Sequence, residues 1–234
     1  MGNILLQETA VRVREVLGAD LDTITIERAV FGLFFSGVKL SDGQGGLCFT
    51  PVKDMPQAVC CPSSAKAMPL SGRLKGRSAA DYLADLEHDN ILRKTLAIAA
   101  LNALSASCWQ RGEAKGYQIQ TGEDAFDHVR IPPGGKSVVV GALVPILKKL
   151  IAADADFKVL EMDNRTLKGK ELEHYAPPED AWKYIPDAFF KSKVTVMGGV
   201  LVTKPDEVLD IISEGGSGYH FFGKSAERLI IRNE

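Results

Sequence analysis

The residues best placed to do chemistry in this chain sit at turns. In Val140-Gly141-Ala142-Leu143-Val144-Pro145 an apolar run meets a single glycine and then a helix-like segment. A strand that turns through glycine into a helix presents backbone N–H groups and the positive end of the helix dipole, which suit an anion. Asp163 follows Gly141 by about 22 residues, the spacing at which dinucleotide enzymes place the acid that holds a ribose hydroxyl. The dinucleotide fingerprint is G-x-G-x-x-G, and Gly141 is its only glycine here. Ala142 to Pro145 would also keep a pyrophosphate at a distance. The turn therefore reads as a place for some small ligand, or as plain packing, rather than as a nicotinamide site.

A second candidate is Glu214-Gly215-Gly216-Ser217-Gly218-Tyr219-His220-Phe221-Phe222-Gly223. Gly215 and Gly216 can adopt the positive φ values that make an anion-binding nest, and His220 can ligate a metal or carry a proton. The competing reading is a turn before the last strand, with Tyr219, Phe221 and Phe222 in the core. Lys39-Leu40-Ser41-Asp42-Gly43-Gln44-Gly45-Gly46 can close over a ligand, or can simply be a hairpin turn. Asn102 is a lone amide in an apolar helix, so it either satisfies a neighbouring backbone group or faces a cleft. The vicinal Cys60 and Cys61 would point to opposite faces of a strand and so would not share one ion. Cys48, Cys108, His88, His128 and His174 are scattered, with no spacing that defines a metal geometry. No Ser-His-Asp elbow, HExxH or P-loop occurs.

These residues need elements to hold them. Leu5 to Leu17 carries a helical apolar stripe, with Gly18 at the C-cap. Thr23–Glu27, the long apolar stretch Arg28–Leu40 and Leu47–Thr50 read as strands, the last two joined by a turn at Ser41–Gly46. Pro51–Pro69 is irregular. Ser78–Cys108 is helical: Ser78 is the N-cap of a first helix, and a second helix over Leu92–Ala106 has almost no polar face and should be buried. Gln110–Ala125 reads as a linker and Pro132–Gly135 as a turn. Ser137–Val140, Val144–Ile151 and Phe157–Met162 then form strand, helix and strand, a βαβ unit. Leu167–Ala188 is loop or short helix. Val194–Val196 is a short strand, Lys204–Ser213 a helix and Leu229–Arg232 a terminal strand.

Composition narrows the classes. The 234 residues suffice for one large or two modest domains. A net charge of −2 argues against nucleic acid as a partner. No apolar run reaches the roughly 18 residues of a membrane span, and the N-terminus does not read as a signal peptide. Four cysteines in this length suit reduced thiols in a cytoplasmic protein.

Several stretches taken together resemble the heavy-metal chelation family of unknown function: Gly32–Gly46, Leu92–Ser105, Lys136–Pro145, Val159–Asp163 and Gly198–Gly223. Members of that family pair an enolase N-terminal-like domain with a Rossmann-like domain, and the resemblance covers most of the chain. It implies an α/β protein with an α+β domain over residues 1–115, a Rossmann-like parallel-sheet domain over 116–234, and a ligand cleft between them. It also implies a role in handling a heavy metal or metallocofactor, with a transition-metal ion as the cofactor to expect. The chain departs from the family after Tyr184. About two strand–helix units are missing between Pro186 and Phe189, which implies a C-terminal domain that is small, rearranged or completed by a partner chain.

The expected ligand-binding residues are Lys39, Asn102, Gly141, Asp163, Gly215, Gly216 and His220, with Asp163 and His220 as metal-ligating candidates. The expected partners are a metal or small-molecule ligand and a second copy in a homodimer, with neither nucleic acid nor membrane. The alternative is a metal-independent enzyme or binding protein for a small organic anion or nucleotide-like ligand.

Overall fold

The computed structural model describes residues 4–52, 70, 72–112, 117–128, 130, 135–161, 163–177 and 196–233. The chain opens with α1 (Ile4–Leu17), which buries Ala10, Val13 and Leu17 along one stripe. Gly18 ends it at a φ of +52°, a conformation glycine adopts without penalty. An antiparallel sheet follows, made of β1 (Ile26–Phe31), β2 (Phe35–Leu40) and β3 (Gly45–Phe49) in the order β1-β2-β3. Val38 pairs with Ala29 on one side and Gly46 on the other. The stretch Arg28–Leu40, expected as one long run, is two strands. The chain reverses between them at Gly32–Phe34, where the Gly32 amide donates to the Phe35 carbonyl at 3.0 Å. A Cβ at Gly32 would stand 2.7 Å from that same carbonyl oxygen, so only glycine fits the reversal.

Helix α2 (Ile91–Gln110) covers one face of the sheet. Its N-cap Asn90 accepts hydrogen bonds from the amides of Leu92 and Arg93 at 3.0 and 3.1 Å. The expected burial holds: Leu92, Leu96, Leu101 and Leu104 are inaccessible or nearly so. Ser78 caps the first helical element of this stretch, a 3-10 turn (Ala79–Asp85) lying before α2. Tyr82 in that turn is buried, and its hydroxyl has no hydrogen-bond partner among the described residues. Burial without a partner also raises the phenol pKa. Tyr82→Phe removes an uncompensated hydroxyl without changing the packed ring. It is expected to leave stability unchanged or raise it by about 1 kcal/mol, readable as an equal or higher urea midpoint.

The opposite face of the sheet is covered from far along the sequence. Helix α4 (Pro205–Ser213) lays Leu209 against Gly37 and Ile212 against Gly32, where a side chain on either glycine would clash. Helix α5 (Gly218–Phe221) adds Phe221, which is fully buried and meets Phe35 edge-on at 5.5 Å. Val30, Phe35 and Leu47 complete this second core. By contacts the chain divides into two units: Met1–Glu123 with Gly199–Leu229, and Asp124–Gly198 with Ile230–Glu234. The 116–234 stretch, read as one domain from sequence, thus lends residues 199–229 to the first unit.

The stretch 110–125, read as a linker, contains β4 (Tyr117–Thr121). It is an outer strand of the order β4-β9-β8, with β8 at Val196–Val202 and β9 at Ala226–Asn233. Polar residues are tolerated on an outer strand, which is why composition concealed it.

The second unit carries the expected βαβ motif: β5 (Lys136–Val140), α3 (Val144–Ala152) and β6 (Asp156–Leu160), with β5 and β6 parallel. A two-residue strand, β7 (Tyr175–Ala176), pairs parallel to β6. Val139, Leu147, Leu150, Phe157, Val159 and Leu167 form its core. Antiparallel and parallel sheets packed with helices give the α/β class read from the sequence. The expected irregular stretch Pro51–Pro69, apart from its first two residues, the turn Pro132–Gly135, apart from Gly135, and the deletion between Pro186 and Phe189 lie outside the described residues.

Candidate functional site

The parallel strands of the second unit end at Val140 and Leu160, and the residues just beyond them build the candidate site. Gly141 makes the turn from β5 into α3 with a φ of +90°. Its amide donates to the Leu160 carbonyl at 2.8 Å, which ties the turn to β6. Glu161, the first residue after β6, folds back across it. Its Oε2 accepts from the Ala142 amide at 2.8 Å, and its Oε1 accepts from the Asp163 amide at 3.1 Å.

A full count of the turn's donors decides what it can hold. The Leu143 amide donates to Gly141, that of Val144 to Ala142, and those of Ile146 and Leu147 to Leu143. Pro145 has no N–H. From Gly141 to Leu147, therefore, every backbone donor already has an acceptor, and the one acceptor that carries charge is the Glu161 carboxylate. An anion cradle needs open donors. This turn supplies none, and it carries a negative charge where an anion would sit.

Among the described residues a Cβ added at Gly141 would meet nothing within 4 Å, so substitution there costs backbone strain. Gly141→Ala is expected to lower stability by about 1–3 kcal/mol, measured by urea unfolding. A cost near zero would mean that the turn relaxes freely.

Asp163 caps the 3-10 turn Asn164–Thr166 by accepting from the Arg165 amide at 3.1 Å. The same carboxylate receives the Arg165 guanidinium in a two-point pair, at 2.8 and 2.9 Å. That pair holds the guanidinium pKa above its ordinary value. Arg165 is largely in solvent, where such pairs are weak.

The remaining sequence-picked residues lie in the first unit. Lys39 on β2 is mostly buried, and its ammonium reaches Asp206 of α4 at 2.8 Å and Glu27 of β1 at 3.0 Å. The hydrogen bond to Asp206, and then that to Glu27, raise its pKa. The group stays a cation that ties the first turn of α4 to the sheet. The Ser41–Gly46 hairpin is tied down as well, since Asp42 accepts from the Ser107 hydroxyl at 2.5 Å and from the Gln44 amide at 3.1 Å. Asn102 has an exposed edge and donates to the Leu47 carbonyl at 2.8 Å, fastening α2 to β3. Gly215 and Gly216 close α4: their amides donate to Ile212 and Ile211, and Gly215 takes a φ of +81°. That bonding pattern is a Schellman cap, which consumes the donors a nest would need. His220 turns Nδ1 toward Ser217, whose amide lies at 3.0 Å, and so caps α5. Of the three neighbouring aromatic residues only Phe221 is core, while Tyr219 is 95% exposed.

Other ligand types are spread out. Burial pushes the Cys48 thiol up to about 11, so it stays protonated at neutral pH. Cys108 is buried. His174 stacks on Phe157 at 3.8 Å, and the His88 Nδ1 accepts from the Asn90 amide. Among the described residues no three His, Cys, Asp or Glu side chains converge on one point. Nor is any described helix long and apolar enough to cross a membrane. Cys60 and Cys61 lie outside the described residues.

The sequence reading passed over Glu161. Its signal was its place, an acid directly after the second parallel strand, but the 22-residue spacing drew attention to Asp163 instead.

Two family models match the chain, DUF4213 over residues 14–105 and DUF364 over 124–188 and 181–231, both described as "Putative heavy-metal chelation". The two DUF364 segments overlap over residues 181–188. The fold is similar to a crystal structure of a protein of unknown function from the DUF364 family of Pyrococcus horikoshii, with a TM-score of 0.67 at 13% identity. It is also similar to one from Desulfitobacterium hafniense DCB-2, with a TM-score of 0.64 at 12% identity. Each alignment covers 97% of this chain and 99% of the other. No curated protein matches the sequence. Matched along both halves, the chain belongs to this family of DUF4213 and DUF364 proteins.

Proposed function

We propose that the protein handles a metal ion or a small metal-bearing ligand, which it engages through Glu161 and Asp163 beside Gly141 at the strand ends of the second unit. The observation that carries this reading is the Glu161 carboxylate, held between two backbone amides at the mouth of a parallel sheet. Open α/β sheets take their ligands at the carboxyl ends of the strands. Each carboxylate oxygen has two lone pairs, so Glu161 can keep both amide bonds and still face a cation. With the turn's amides spent, its electrostatics favour a cation over the organic anion of the alternative reading. Asp163 joins when its exposed Arg165 partner swings away. The family descriptions point the same way.

Elemental analysis of the purified protein and calorimetric titration with Co²⁺, Ni²⁺ and Zn²⁺ test the proposal. Glu161→Gln and Asp163→Asn are each expected to weaken binding by about 10–100-fold. Absence of bound metal together with absence of titration heat would overturn it, as would unchanged affinity in the double variant. Stabilisation by inorganic phosphate or nucleotide instead of metal would select the organic-anion reading.

A further inference from the structure

We draw no further inference here: the strongest candidate, the exposed aromatic edge of the first unit where Phe49 and Phe222 lean on Phe35, carries nothing because nothing in the structure shows what covers it.

Discussion

Gly46→Ala is expected to cost at least about 3 kcal/mol and to leave little folded protein at room temperature, a larger effect than most overpacking substitutions produce. Gly46 lies on β3 directly under α2. An added methyl would fall on the Ala99 carbonyl oxygen and the Ala103 amide nitrogen, with the Ala103 Cα at 3.0 Å. All three are main-chain atoms of a buried helix, so no rotamer change relieves the overlap. The helix must lift from the sheet, and Ala99, Ala100, Ala103 and Leu104, all fully buried, would lose packing together. Gly199→Ala is the matched control. Among the described residues its added methyl approaches only the Leu229 side chain, at 3.1 Å, and that side chain can turn aside. Its cost is expected to stay below about 1 kcal/mol. Urea midpoints for the two variants separate the cases, and trimming Ala103→Gly should fail to rescue Gly46→Ala because the obstruction is backbone. Rescue by that trim would sink the argument.

The second large effect is expected at Phe221. Phe221→Ala should cost about 3–5 kcal/mol, the range for removing a buried phenyl ring. The ring is inaccessible, packs edge-on to Phe35 at 5.5 Å and to Phe222 at 4.8 Å, and belongs to the cluster that seals the far face of the first sheet. Because that sheet is built from residues before 50, the damage should appear far from the substitution. Hydrogen exchange of the β1 and β2 amides is the measurement, and faster exchange there is expected. Loss of protection confined to residues 199–229 would mean that the segment is a passenger. A fragment ending at residue 123 is expected to bind dyes that detect exposed apolar surface, since it lacks Leu209, Ile212 and Phe221.

Much of this was legible in the sequence, where local chemistry decides the outcome. The βαβ motif over Lys136–Leu160, the apolar α2 and the proline-started α4 follow from periodicity and punctuation, and they stand within a few residues of expectation. Gly141 was legible because a lone glycine between an apolar strand and a helix needs a positive φ. Long-range packing was not legible. Nothing in Pro205–Ser213 states that its apolar face belongs to a sheet more than a hundred residues earlier. Nor does the polar run 110–125 reveal a strand whose partner is the last one in the chain. The site residues divide along the same line. The Gly215 and Gly216 pair looks equally like a nest or a helix cap until its amides are traced to Ile212 and Ile211. Lys39 reads as the start of a ligand-closing loop or a hairpin turn and Asn102 as a lone amide in an apolar helix, and each is explained by a partner that lies distant in sequence.

The divided first unit has a consequence for how the chain is born. A ribosome delivers β1, β2 and β3 early, then residues 124–198 of the second unit, and only afterwards α4 and α5. At ordinary translation speeds the interval from residue 124 to residue 229 is about 5–20 s. Throughout it, Val30, Phe35 and Leu47 present an apolar sheet face with no lid of their own. A nascent chain in that condition is a natural client for a holding chaperone, and the unit begun first stays open until α4 and α5 arrive.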